Sequence, residues 1–328
     1  MRKPENRVVC GETDRPVFID CGSTPLRDAF TVLELLVSLL VVAVVVSLSL
    51  PSLAAAREAS RRISCSNRIR QVGLAASMYE STWKVFPCAA GANWLAFRRI
   101  AAHMEVPTSA SDPHEWPRRV AVPSTALSCP SDELPGTSYG GSNYLFNAGD
   151  SVPADHNGVW DESGRRVASR DVTDGLSQTA LVSEHLVNEF NRVASDARVE
   201  GAIETVARRR PQTLVWRPTN RPDSLHLSDA SVKRETCLSS SIEPANAYHP
   251  RNSNWIVEGC YLHGLPPNSA PCDLIGGSHV GPSQVMWTAS SRHDRGVNVG
   301  FCDGSVRFAS EEIDAEVWAA YGSRASGD

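Results

Sequence analysis

Glu34 is the only charged side chain between Phe30 and Leu50, a run of 21 residues otherwise made of Leu, Val, Ala, Ser, Thr and Phe. A charge at the centre of a bilayer costs about 2.5–3.5 kcal/mol on insertion scales, so such a residue is read first as functional. Glu34 lies about 6 Å along a helix axis from Phe30, near the headgroup boundary, where the cost is smaller. Its available chemistry there is charge pairing with an amine brought to the same depth by a neighbouring helix.

His293 invites a different chemistry, because Asp303 and Gly304 follow it at H-x9-D-G spacing. A catalytic or metal role is weighed first, and the local pattern favours structure instead. Val297, Val299 and Phe301 alternate with Asn298, Gly300 and Cys302, and Asp303-Gly304 then leads into Ser-Val-Arg-Phe. Asp-Gly between alternating runs is the signature of a hairpin with a type I′ turn. His293 is expected to hydrogen-bond near the start of that hairpin. Asp174-Gly175 reads likewise as a turn before the buried strand "ALVSE", residues 180–184.

Other donor groups are weaker. Asp155, Asn157 and Asp161 could hold calcium, but their loop lacks the distal bidentate glutamate of an EF-hand, and a solvated turn is the expectation. The 9 histidines form no H-E-x-x-H or other ligand spacing, and no G-x-S-x-G, Walker or dinucleotide fingerprint occurs. "GGSHVGPS" around His279 reads as a loop. Trp94, Trp116, Trp160, Trp255 and Trp287 could line a glycan-binding surface, although tryptophans so far apart in sequence are more often core. No enzyme activity, metal or cofactor is therefore expected.

The elements that position these residues begin with the apolar run. At 1.5 Å per residue it spans about 31 Å, the thickness of a hydrocarbon core. It is too long for the h-region of a cleaved secretory signal. Beyond Pro51 a helix-forming segment continues, in which Cys65, Ile69, Val72, Ala76 and Tyr79 make an apolar stripe. Pro51 is expected to kink or pause the helix without necessarily ending it. Arg57, Arg61, Arg62, Arg68 and Arg70 lie just beyond the span, so the positive-inside rule alone would put the following domain in the cytoplasm.

With 328 residues, a net charge of -5 and 41% hydrophobic residues, the chain can bury a real core and shows no nucleic-acid-binding character. None of the 9 cysteines forms a C-x-x-C pair, which leaves zinc-ribbon and thioredoxin readings without support. If the region after the span is extracytoplasmic, some of the seven cysteines beyond it form disulfides. Their connectivity is not readable from sequence.

Phe30-Thr31-Val32-Leu33-Glu34-Leu35-Leu36, followed by an unbroken apolar helix, resembles the processing and methylation segment of type IV pilins and type II secretion pseudopilins. The resemblance implies that a prepilin peptidase cuts between Ala29 and Phe30 and that the new amino group is methylated. Position 29 is Ala where that family prefers Gly, and Arg27-Asp28 replaces its usual basic cluster. The likeness extends to a planctomycete-type family of pilin-like proteins whose globular domain has no assigned function. It is carried by "LPSLAAAREASRRISCSNRIRQVGLAASMYES", Phe86-Pro87, Cys129-Pro130-Ser131-Asp132, Asp174-Gly175 and the element formed by His293, Asp303 and Gly304. The tail "IDAEVWAAYGSRASGD" is similar as well.

The expected fold is α+β, with a long N-terminal helix, half transmembrane and half amphipathic, packed on an antiparallel β-sheet. Residues 1–29 read as a leader, 30–50 as the membrane helix, 51–82 as its amphipathic continuation and 83–328 as an extracytoplasmic domain with an insertion-like stretch near 190–270. The resemblance implies a structural subunit of a pseudopilus or pilus-like assembly, held in the inner membrane. Its partners would be the prepilin peptidase and other pilin-like subunits, with Glu34 meeting the amino group of a neighbouring Phe30. The alternative is a monomeric, membrane-anchored binding domain for a glycan or cell-surface ligand.

Overall fold

The structure, a computed structural model, describes residues 31–87, 93–104, 125–132, 142–150, 157–161, 164–186, 216–218, 230–239, 242–244, 260–273 and 285–327. The chain divides into two compact units, Met1–Ala54 and Ala55–Asp328. Helix α1 spans Val32–Trp83, 52 residues, and contains Pro51.

In the first unit Leu33, Leu36, Leu40 and Leu48 are all more than half exposed, as are Val41, Val42 and Val45, so apolar side chains cover every face. The helix is long and apolar enough to cross a membrane. Its serines satisfy themselves within it: the hydroxyls of Ser38, Ser47 and Ser49 donate to the carbonyls of Leu35, Val44 and Val45. Such internal bonding is what a spanning helix requires where no water can serve. Thr31 starts the helix. Its Oγ1 accepts the Glu34 amide at 3.2 Å, while its own N–H and hydroxyl donate to Glu34 Oε2 at 3.0 and 2.9 Å. This is a capping box, two orphan amides satisfied reciprocally.

The second unit carries two sheets. The larger has the order β5-β1-β2-β8-β9, formed by Cys260–Leu262 (β5), Tyr144–Gly149 (β1), Ala180–Glu184 (β2), Gly296–Phe301 (β8) and Val306–Ser310 (β9). The pairs β1/β2, β2/β8 and β8/β9 are antiparallel, but β1 and β5 are parallel, so the sheet is mixed where an antiparallel one was expected. A parallel partner needs a long crossover. The chain between β2 and β5 provides it, and it contributes strands to the second sheet on the way. That sheet has the order β4-β3-β6-β7, from Ile242–Pro244 (β4), Trp216–Pro218 (β3), Cys272–Asp273 (β6) and Val285–Met286 (β7). Part of the insertion-like stretch thus builds a sheet, and a disulfide from Cys237 to Cys272 ties its helix, Ala230–Ser239, to β6. Within that stretch "RVASDARVEGAIETVARR", residues 192–209, reads as a helix from sequence, and it lies outside the described residues.

Strands β1, β2 and β8 are buried at every position, the polar Asn147, Ser183, Glu184 and Asn298 included. Alternate residues serve two clusters. Tyr144, Phe146 and Val182 join Ile69, Val72, Ala75, Ala76 and Tyr79 of α1, with Phe97 from a short helix, Asn93–Ala101. Leu145, Val297, Val299 and Phe301 join Tyr261 and Trp318, the latter from the C-terminal helix Ala315–Gly322. Each large side chain so buried contributes about 1.5–3 kcal/mol.

The β8–β9 hairpin departs from expectation in one detail. Gly300 pairs with Val306, the Phe301 amide bonds the Ser305 carbonyl, and only Gly304 of the turn has a positive φ, 82°. Cys302-Asp303-Gly304 is therefore a three-residue loop with glycine in the left-handed position, where type I′ would demand positive φ at two central residues. Asp303 Oδ1 accepts the Ser305 amide at 2.8 Å and closes the loop.

At Gly300 a side chain of α1 lies close against β8. A Cβ there would lie 2.5 Å from Ile69 Cγ2 and 3.0 Å from Val182 Cγ1. Gly300→Ala should cost about 1–3 kcal/mol by overpacking. Urea denaturation of the detergent-solubilised chain checks this, and an unchanged midpoint would contradict so tight a contact.

Candidate functional site

The most unusual chemistry of the second unit is an imidazole held between two carboxylates. His293 comes from the turn before β8, Glu58 from α1 and Glu184 from the last position of β2. His293 Nδ1 lies 2.8 Å from Glu58 Oε1 and Nε2 lies 3.1 Å from Glu184 Oε1. The side chains of His293 and Glu184 are 0% and 1% exposed, that of Glu58 30%. Carboxylates only accept, so both ring nitrogens carry protons and the ring is an imidazolium.

Each member is held in turn. Ser291 Oγ accepts the His293 amide at 3.0 Å and donates to the Gly296 carbonyl at 2.7 Å, which fixes the turn carrying the ring. Glu184 Oε2 accepts the Asn298 amide at 2.7 Å, and Oε1 accepts Asn298 Nδ2 at 2.9 Å. A β8 amide is thus committed to a side chain of β2. Glu58 Oε2 pairs with Arg61 Nη2 at 2.7 Å, and Ser131 Oγ donates to Glu58 Oε1 at 3.1 Å. Beside the ring runs the disulfide Cys65–Cys129, with Cys129 Sγ 3.8 Å from His293 Nε2. Arg68 donates to the Ser128 carbonyl, and the Cys129 amide to Asn143 Oδ1 at 2.8 Å.

Burial alone would lower the His293 pKa. The hydrogen bond to and charge of Glu184, then those of Glu58, outweigh it and hold the ring above its ordinary 6.5. Burial would raise Glu58, but its bonds with His293, Arg61 and Ser131 hold it below its ordinary 4.5. The arrangement is a charge-balanced clamp between α1, β2 and the approach to β8.

Of the residues singled out from sequence, Cys129 and His293 meet here, with Pro130 next to Cys129 in the turn that presents Ser131. Asp174, Gly175, Asp303 and Gly304 meet elsewhere. The Asp303 amide bonds the Leu176 carbonyl at 3.0 Å, so the two Asp-Gly turns are joined. Asp174 does more than turn: its carboxylate accepts the amides of Ser326 and Gly327 at 2.8 and 2.9 Å and pins the C-terminal tail. Gly175 has φ 100°, which makes glycine the natural residue there. Glu34 sits apart in its capping box, and Ala29, Phe30 and Asp155 lie outside the described residues. Asn157, partly exposed, accepts the Asp150 amide at 3.3 Å through Oδ1, whereas Asp161 is buried and is not a residue of a solvated turn.

Glu58 and Glu184 were not singled out. Their signal was present: a glutamate closing the apolar strand Ala-Leu-Val-Ser-Glu, and one seven residues before Cys65 on the face that becomes buried. A second buried histidine, His263, contrasts with His293. Its Nδ1 donates to the Trp318 carbonyl at 2.8 Å, so Nε2 accepts from the Tyr261 hydroxyl at 2.9 Å. Burial, opposed by the Trp318 bond, pulls its pKa down to about 3 and the ring is neutral.

Residues 54–316 match the family described as a protein of unknown function, DUF1559, and the chain belongs to that family. Glu58, Cys65, Cys129, Asp174, Glu184, His293 and Asp303 all fall within the matched span, whereas Ala29, Phe30 and Glu34 precede it. Comparison with curated proteins and with solved structures finds no match.

Removing one partner of a buried pair leaves an uncompensated charge, so Glu184→Ala should cost about 3–5 kcal/mol. The pH dependence has a definite sign. Stabilisation from the raised His293 is complete below pH 6.5 and is lost as the pH climbs through its folded value. That from the lowered Glu58 is complete above pH 4.5 and is lost as the pH falls through its folded value. The stability advantage over His293→Gln should therefore be largest at about pH 5–6 and shrink toward alkaline pH. Urea titrations of both proteins across that range measure it; a pH-independent difference would remove the imidazolium from the argument.

Proposed function

Taking membership of that family as the premise, we propose that the chain is a non-enzymatic, pilin-like structural subunit of a pseudopilus or pilus-like filament. It is held in the inner membrane by the first part of α1, with the domain beyond residue 83 outside the cytoplasm, and is matured by a prepilin peptidase between Ala29 and Phe30. The observation that carries this reading is the division of α1. Its first part exposes Leu and Val on every face, while its later part buries Cys65, Ile69, Val72, Ala76 and Tyr79 in the domain. A helix so divided is suited to anchoring a folded domain and to bundling laterally with copies of itself. The two disulfides support an oxidising compartment for the domain.

The capping box sharpens the part assigned to Glu34. Both bonds from Thr31 fall on Oε2, which fixes the carboxylate at the helix start. A cut before Phe30 leaves Thr31 with its amide N–H, so the cap survives maturation. The fixed carboxylate then meets the methylated amine of a neighbouring Phe30, and this pairing sets the register between adjacent helices.

Mass spectrometry of the membrane-extracted protein should find a methylated Phe30 at its N-terminus; an intact leader would sink the proposal. Glu34→Gln keeps an oxygen for Thr31 but removes the charge. It should insert normally and lose most incorporation into filaments. Cysteines placed in the 30–50 segment should then give crosslinked ladders when Glu34 is kept and few in the Glu34→Gln variant. Monomers alone, in the chain that keeps Glu34, would favour a tethered binding domain instead.

A further inference from the structure

The cluster around His293 holds one arrangement that the clamp does not use. The sulfurs of Cys65 and Cys129, a carboxylate oxygen of Glu184 and a ring nitrogen of His293 all lie within 4.8 Å of one another, and all four residues are buried. They come from α1, the loop after residue 127, the end of β2 and the turn before β8. We propose that when the Cys65–Cys129 disulfide is reduced, these four side chains bind a zinc-class divalent cation, so that the junction has two alternative staples. The proposal is independent of the filament reading.

The donor set comes first. Two thiolates, an imidazole and a carboxylate are zinc ligands, and the soft sulfurs disfavour magnesium and calcium. A tetrahedral ion with ordinary bond lengths needs donor atoms roughly 3.3–3.8 Å apart. The four donor atoms lie within 4.8 Å of one another, and opening the S–S bond lets the two sulfurs separate toward that spacing. Four protein ligands leave no open position, so the ion would be structural.

The surrounding shell is the independent support. Metal-binding histidines usually donate their second N–H to a carboxylate. His293 Nδ1 faces Glu58 Oε1 at 2.8 Å, which leaves Nε2 directed at Glu184 and Cys129. Glu58 is itself fixed by Arg61 and Ser131, and Glu184 by two donors of Asn298. Both non-sulfur ligands are thus oriented before any ion arrives. The proton balance closes as well. A dithiol reductant supplies the two electrons and two protons that open the disulfide. The cation then displaces the two thiol protons and the Nε2 proton of the imidazolium, taking the place that proton held beside Glu184.

The test uses the full chain in detergent, reduced with a phosphine under anaerobic conditions, with Co2+ as the optical probe and Zn2+ for stoichiometry. The reduced chain should gain thiolate-to-cobalt charge-transfer absorption with tetrahedral visible bands, displaced by Zn2+, while the oxidised chain gains none. Cys65→Ser/Cys129→Ser should lose this signal although Cys237 and Cys272 remain. Glu58→Gln, whose fold is verified in the disulfide form before reduction, should retain the spectrum and bind about 10–100-fold more weakly. A reduced chain that gives no such spectrum, whether folded or unfolded by reduction, overturns the proposal. So does an undiminished signal in the double cysteine variant.

Discussion

A buried imidazolium is tolerable only if acceptors of opposite charge reach both of its nitrogens, and that requirement organises the domain. Glu58 and Glu184 lie on elements 126 residues apart in sequence, and each must arrive at a different edge of one ring. The register of α1 follows. Glu58, Cys65, Val72 and Tyr79 repeat every seven residues, so the carboxylate, the disulfide and the apolar contacts share a helix face. The clamp need not be a net source of stability, since buried ion pairs often gain little over apolar replacements. The energy comes from the clusters around Phe146 and Phe301, and from the Cys65–Cys129 link. Across 64 residues, that link removes about 4 kcal/mol of unfolded-chain entropy on the loop-closure estimate. The ion pairs decide which arrangement that energy stabilises.

His263 and His293, both buried, show that burial does not by itself set charge. His263 faces a carbonyl and a hydroxyl, so one nitrogen donates, the other accepts, and the ring is neutral. His293 faces two carboxylates and must donate twice. Desolvation opposes the charged form in both; only the charges of Glu184 and Glu58 reverse it. Lowering the pH through the ordinary histidine range therefore works against His263 and in favour of His293, and the two partly offset each other.

Much of the scaffold was legible because it rests on local patterns. The stripe Cys65, Ile69, Val72, Ala76 and Tyr79 is buried as its spacing implied, and the alternation at 297–301 is strand β8. What failed to show was non-local. Nothing in the spacing of Cys65 and Cys129 or Cys237 and Cys272 marks their pairing, and nothing local marks β5 as the parallel partner of β1. Glu58 and Glu184 each carry a local mark, but nothing in their spacing shows that one ring lies between them. Glu34 failed in the opposite way. Thr-x-x-Glu is a local capping signature, yet the charge was so conspicuous in an apolar run that its helix-starting part went unread.

The arginines after the apolar span bear on the orientation of the whole molecule. The positive-inside rule counts Lys and Arg close to the ends of a span, and acidic neighbours count for little. Three of the five have contacts within the domain: Arg61 pairs with Glu58, Arg62 lies 3.4 Å over the Phe308 ring and Arg68 bonds the Ser128 carbonyl. Each side chain keeps its charge in these contacts, which form only once the domain has folded. All five therefore count toward a cytoplasmic domain. The two disulfides among the described residues pull the other way, because disulfides persist in oxidising compartments and are rare in reducing ones.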